Sequence, residues 1–281
     1  MHYLVDKLIN KGYNIYPEVL GFNYFNEFNP ELLIGYDYVF IQSDYGIPLR
    51  YNITQFLTGA EKRYPNTYMW CCLDFSNIKQ LPYSEAIDIP TVGFVGRIPF
   101  LKSATDPEKV TLHGGFEPRL AAYNILSNSS SICFDSHVRF GPYGGTNDWG
   151  FWNPDVAINS WEPLFKTNML ANTYALTARG NGNYAQRLYE AFAYGRIPVY
   201  IDSDGRMPWD TIIDYNEWDC FVSCRINEIN DLESKILEFH QTHDICKCQD
   251  NCRKIYEEYL TFDKQVEIFE NNVDSFNRYS G

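Results

Sequence analysis

Arg187 and Glu190 stand three residues apart, just behind the glycine-broken segment Arg179-Gly180-Asn181-Gly182-Asn183-Tyr184. Those residue types in that order suit a nucleoside diphosphate. Gly180 and Gly182 permit a tight turn that brings backbone N–H groups against a ligand. A helix opening after such a loop presents unpaired N–H groups and the positive end of its dipole, which together make an anion site. Arg187 and Arg179 can add forked, permanently charged donors for phosphate oxygens. Glu190, on the same face as Arg187 and one turn deeper, would repel phosphate but can accept two hydrogen bonds from ribose hydroxyls. Alone, the Arg187–Glu190 pair is equally a surface ion pair worth a few tenths of a kcal/mol. The downstream residues favour the ligand: an apolar stripe of Leu188, Ala191, Phe192 and Gly195, a glycine stop, and a strand from Ile197 to Ile201.

Two more arginines sit where strands end. Arg97 comes after the turn at Gly96, and Arg119 lies in the helix start Phe116-Glu117-Pro118. Open α/β sheets bind ligands at such turns, so both are candidate second contacts to a diphosphate. Asp202-Ser203-Asp204 offers the opposite chemistry, a carboxylate pair that could hold Mn²⁺ against a diphosphate. Its position in a turn ending at Gly205 favours turn capping over metal binding. Cys220, Cys224, Cys246, Cys248 and Cys252 match no common zinc framework.

The elements that must position these groups alternate between strand and helix patterns, which suggests parallel βαβ units. A short helical pattern from Leu4 to Ile9 opens the chain. Apolar strand patterns lie at 36–41 and 68–73, with a helix expected near 53–63 between them. A proline-bracketed connector, Pro82 to Pro90, precedes a strand at 91–97, a helix at 116–128 and a strand at 131–134. The stretch 140–159 is rich in Gly, Pro and Trp with little periodicity, and reads as a functional loop. The strand at 174–177 delivers the chain to the arginine motif. Amphipathic helices are expected at 228–239 and 264–276. The division anticipated is an acceptor-side lobe over 1–90, a nucleotide-sugar lobe over 91–262, and a C-terminal helix over 263–281 packing back across the lobes.

Bulk properties narrow the partners. With 36 acidic against 23 basic residues, a net charge of −13 argues against nucleic acid. It also means that an anionic donor must be met by a local cluster of arginines. Aromatic residues make up 17% of the chain, a payload suited first to core filling and second to sugar platforms in a cleft. No apolar run approaches the roughly 20 residues of a membrane span, and no charged-then-apolar leader opens the sequence. A cytoplasmic protein with its eight cysteines as free thiols is the expectation.

From Arg179 onward the pattern Arg-Gly-x-Gly, then Arg-Leu-x-Glu-Ala-x-x-x-Gly-x-x-Pro-Val-x-Ile, resembles the exostosin family of inverting glycosyltransferases. Met207-Pro208-Trp209 and Ile212 to Trp218 match that family's proline–aromatic pair and the stretch after it. The likeness is specific over 174–224, weaker over 91–170 and faint before 90. It departs at Ala185-Gln186, where the family often has Ser-Pro, and in the short first lobe, which leaves acceptor recognition open. Compact members of this kind are similar to enzymes encoded by large algal viruses.

The resemblance implies a two-lobed α/β fold of GT-B type with a reduced N-terminal lobe. It implies a nucleotide-sugar donor, UDP-linked and with UDP-xylose as the first choice, and a glycan or glycoprotein acceptor. Arg187 would take the diphosphate and Glu190 the ribose. No cofactor or divalent metal is implied. Inversion requires a base for the acceptor hydroxyl. Asp44 and Asp74, just past the carboxyl ends of first-lobe strands, are the candidates, with His113 and His137 behind them. The competing readings are a non-catalytic glycan-binding module and a Mn²⁺-dependent GT-A-type transferase using Asp202 and Asp204.

Overall fold

The computed structural model describes residues 3–18, 20–21, 30–42, 54–57, 67–71, 78–83, 88–102, 110–112, 116–142, 154–180 and 185–277. It is a mixed α/β protein built on one parallel sheet and one largely parallel sheet, the GT-B-like architecture expected.

The first sheet has helix α1 (Tyr3–Asn10) and four parallel strands in spatial order: β1 (Leu20–Gly21), β2 (Tyr38–Gln42), β3 (Thr54–Leu57) and β4 (Thr67–Met69). Where a helix was expected near 53–63, Thr54–Leu57 instead form β3, and the rest of that stretch lies outside the described residues. Thr54-Gln55-Phe56-Leu57 pairs with β2 from Tyr38 to Ile41, and this sets Phe56 parallel to Phe40 with ring centroids 4.7 Å apart. Burial of a β-favouring aromatic against a neighbouring strand outweighs local helix propensity.

The second sheet begins with the long strand β5 (Thr91–Lys102), whose far end pairs antiparallel with β6 (Val110–Leu112). Helix α2 (Glu117–Ser127) and strand β7 (Cys133–Pro142) come next, then α3 (Pro154–Ala171), β8 (Tyr174–Ala178), α4 (Gln186–Tyr194), β9 (Ile197–Asp202) and β10 (Val222–Arg225). The parallel strands lie in the order β7-β5-β8-β9-β10. Numbered by appearance this is 2-1-3-4-5, the flavodoxin-like doubly wound order, in which ligands bind at the crevice between the first and third strands. Those strands are β5 and β8.

Of the stretch 140–159 expected to be a loop, 143–153 lie outside the described residues, β7 runs to Pro142 and helix α3 takes the chain from Pro154. Its buried Asn168 and Asn172 both donate to Oδ2 of Asp135 on β7, at 2.8 and 2.9 Å. Gly93 on β5 makes room for them, because a Cβ there would lie 2.5 Å from Oδ1 of Asn168. The helix is held by an amide–carboxylate network that apolar periodicity cannot reveal.

Helices α5 (Leu232–Thr242), α6 (Ile245–Ile255) and α7 (Phe262–Asn277) complete the chain. The sequence pattern gives no counterpart of α6. Asp244 caps it by accepting from the N–H of Lys247 at 3.0 Å. Cys248 and Cys252, one turn apart, are buried beside Cys220, and their thiols donate to the carbonyls of Asp219 and Cys220 at 3.6 and 3.1 Å. These thiols pack the core as small hydrophobes. No disulfide forms among the described cysteines.

Helix α7 returns to the first sheet. Phe269 lies 5.1 Å from Tyr38, and Phe276 lies 4.4 Å from Tyr68 and 5.4 Å from Phe56. Much of the aromatic excess therefore goes into this core. No helix among the described residues is long and apolar enough to cross a membrane.

Candidate functional site

Strands β5 and β8 pair at only two positions, Val92 with Tyr174 and Gly93 with Ala175. Beyond Gly93 the β8 side of β5 leaves that ladder, while its other edge stays paired with β7 as far as Phe100. The sheet thus opens into a crevice at the topological switch point.

Arginines close both lips of it. Nη2 of Arg187 donates to the carbonyl of Val95 on β5 at 2.8 Å. Nη2 of Arg119 donates to the carbonyl of Ala178, the last residue of β8, at 3.1 Å. Each guanidinium thereby satisfies a strand-end acceptor, and it carries more N–H donors than one carbonyl can take.

Arg187 is set by α4. That helix runs from Gln186 to Tyr194 and ends on Gly195 at φ 67°, a left-handed position that favours glycine. Leu188, Ala191 and Phe192 are buried as their spacing predicts. Ala185 stands at the N-cap with no oxygen to offer, and no side chain caps the helix. The N-terminal amides are therefore not engaged by a capping side chain.

The Arg187 guanidinium lies 3.8 Å from the ring centroid of Phe165 on α3. Its Nε is 3.2 Å from Oε2 of Glu190, with the two side chains 23% and 15% exposed. Oε1 of Glu190 accepts from Nε2 of Gln186 at 3.1 Å. Glu190 here orients Arg187, and a carboxylate has more lone pairs than these two contacts use.

Arg119 is gripped by aromatic rings, 5.0 Å from Phe116 and 5.7 Å from Phe94. Gly180 lies beside it, where a Cβ would come into ordinary van der Waals contact with Nη2 of Arg119 at 3.4 Å and the Phe116 ring at 3.7 Å. Burial pushes both guanidiniums below their ordinary range. For Arg119 the second cause is the charge of Arg187, while for Arg187 the charge of Glu190 pulls the other way. Two desolvated like charges thus share one crevice, with Glu190 beside them. An anion placed between them would relieve both the desolvation and the repulsion.

The other candidates take different places. Arg179 ends the same strand region, close enough to Tyr200 for its charge to oppose the rise that burial imposes on that phenol. Arg97 lies within β5, in register with Arg139 on β7, and only its backbone is described. Gly182, Asp44, Asp74 and His113 lie outside the described residues. His137 on β7 places Nε2 3.3 Å from Oδ1 of Asp135. Asp202 uses Oδ1 to accept the N–H of Asp204 at 2.9 Å, and Asp204 turns at φ 61°. That is the turn-capping geometry. Among the described residues no three His, Cys, Asp or Glu side chains gather into a metal-binding group.

Four partners of the arginines escape sequence reasoning. The Val95 and Ala178 carbonyls carry no side-chain signal. Phe165 belongs to a helix that composition hides. Phe94 looks like any core aromatic in a strand.

No family model matches the sequence, nor does any curated protein. Among solved structures the chain is similar to TarM, with a TM-score of 0.44 and 13% identity over 76% of this chain and 40% of that one. A structure of an S. aureus TarM mutant in complex with fondaparinux, alpha-GlcNAc-glycerol and UDP gives a TM-score of 0.43 and 14% identity over 77% and 40%. The chain spans about 40% of the length of these matched chains. The fold assignment rests on the doubly wound strand order.

Proposed function

We propose that the protein is an inverting glycosyltransferase that moves a sugar from a UDP-linked donor to a hydroxyl of a glycan acceptor. The observation that carries this reading is the pair Arg187 and Arg119, two part-buried guanidiniums held by strand-end carbonyls on opposite lips of the β5–β8 crevice, beside a helix N-terminus that no side chain caps. A diphosphate supplies the negative charge this arrangement lacks, and charge that develops on a departing UDP would be met by donors already in position. Glu190, behind Arg187, would read the ribose hydroxyls.

In the reaction the acceptor oxygen bonds to the anomeric carbon as the bond from that carbon to the β-phosphate oxygen breaks. The hydroxyl proton passes to a carboxylate, for which Asp44 and Asp74 remain the candidates. No divalent metal enters this scheme, because arginines and helix amides carry the departing charge. UDP-xylose is the first donor to test, and exostosin membership, like the viral kinship, stands on the sequence motif.

The test is a thermal-shift and donor-hydrolysis screen of UDP and UDP-sugars, with and without EDTA, on the intact chain and on Arg187→Ala. UDP should raise the melting temperature of the intact chain in EDTA and shift Arg187→Ala less at the same concentration. No response to any uridine nucleotide overturns the reading. A response abolished by EDTA and by Asp202→Asn would favour the metal-dependent alternative.

A further inference from the structure

A second cavity, of about 620 Å³, opens at the carboxyl ends of β9 and β10, under the loop that runs from Gly205 to Asn216. It lies on the same edge of the sheet as the arginine crevice. With neighbouring strands about 4.8 Å apart, two spacings separate them, roughly 10 Å. Tyr200 lines it and lies close enough to Arg179 for that charge to act on its phenol.

The chemistry of the lining differs from that of the crevice. Asp202, Asp210 and Asp214 face Arg206 and Arg225, three carboxylates against two guanidiniums, so the cavity carries a net charge of −1. A second phosphate or a uronic acid would be repelled. Arg206 and Asp210 form a two-pronged pair, Nε to Oδ2 at 2.8 Å and Nη2 to Oδ1 at 2.6 Å. Each partner neutralises the other, and the two-pronged contact holds both groups in one orientation. A fixed array of donors beside acceptors suits adjacent hydroxyl groups, which both donate and accept.

Apolar surface completes the site. Phe221 and Met207 line it, and Ile212 stands at its mouth, 37% exposed. A few placed polar groups within an apolar wall are the usual composition of a small-molecule pocket of this size. The loop is rigidly held, since Tyr215 donates its hydroxyl to the Pro208 carbonyl at 2.8 Å and the N–H of Trp209 bonds the Met69 carbonyl at 2.9 Å.

We infer that this cavity is a subsite for a neutral sugar ring of the acceptor glycan, seated on the Arg206–Asp210 pair. The inference rests on the transferase reading above, and it moves part of acceptor recognition onto the lobe that holds the donor.

Saturation-transfer NMR on the full chain tests it, with xylose, galactose, glucose, N-acetylglucosamine, glucuronate and uridine as separate probes. At least one neutral sugar should show saturation transfer and glucuronate none. Ser223→Trp, which fills the cavity from an exposed position, and Asp210→Asn should each reduce that signal at least fivefold while leaving the thermal shift with UDP intact. Binding of uridine alone, or a sugar signal unchanged in both variants, overturns the inference. Loss of the UDP shift in the intact chain would instead remove the donor reading, with sugar binding in the cavity still scored on its own.

Discussion

The indole nitrogen of Trp209 donates to Oε1 of Gln265 at 3.2 Å, and the same oxygen accepts the backbone N–H of Cys71 at 2.9 Å. Nε2 of Gln265 returns a bond to the Cys71 carbonyl at 3.0 Å. One buried amide thus ties the end of the first sheet, the β9–β10 loop and helix α7 together. Gln265→Leu leaves these groups buried and unsatisfied, at about 1–3 kcal/mol for each. The expected result is a large drop in the midpoint of urea unfolding, with Trp209→Phe costing less because it removes one donor only.

Arg187→Ala should weaken UDP binding by roughly 10- to 100-fold, the equivalent of one charged hydrogen bond at about 1.5–3 kcal/mol. Arg187→Lys recovers part of this, since a point charge replaces the fork. Isothermal titration calorimetry with UDP measures both.

Arg119→Met should separate stability from binding. It removes a desolvated charge that faces Arg187, so the unliganded protein should melt no lower than the parent. The UDP-induced shift should vanish. A variant that loses stability while keeping the shift would show Arg119 to be a strut for the Ala178 carbonyl and nothing more.

Glu190→Gln distinguishes ribose from phosphate. If Glu190 accepts ribose hydroxyls, the variant should lose affinity for UDP while pyrophosphate binds as well as before or better. Equal losses for both ligands would mean that Glu190 acts only by orienting Arg187.

Alkaline pH should destabilise the fold. Burial, and next the neighbouring Cys220, push the Cys248 thiol up to about 12 from an ordinary 9.0. Burial likewise raises Cys252, Tyr174 and Tyr215. Above its own pKa the unfolded chain releases protons that the folded chain retains, so stability is level below about pH 9 and falls as pH climbs beyond it. Urea midpoints across that range check the sign. In the native state a thiol reagent should label exposed Cys133 and Cys246 quickly and leave buried Cys220, Cys248 and Cys252 until unfolding.

The arginine helix was legible because its signals are local. The stripe at Leu188, Ala191 and Phe192 and the stop at Gly195 each act within one turn of chain. Arg119 was legible only as a residue after a strand, and its partnership with Arg187 depends on strand order, which brings segments about 70 residues apart to one crevice. Strand β3 was missed because the neighbour that selects it, Phe40, is distant in sequence. Helices α3 and α6 were missed because polar and thiol groups hold them, through Asp135 and through the carbonyls of Asp219 and Cys220.

Helix α7 places Phe269 and Phe276 in a core otherwise made by strands near the start of the chain. A ribosome adding about 5–20 residues per second would take roughly 10–40 s to travel from the fourth strand to that helix. For that interval the first sheet lacks one wall. Assembly must then run against the direction of synthesis, with the second sheet folding ahead of its elder neighbour and the last helix closing the first.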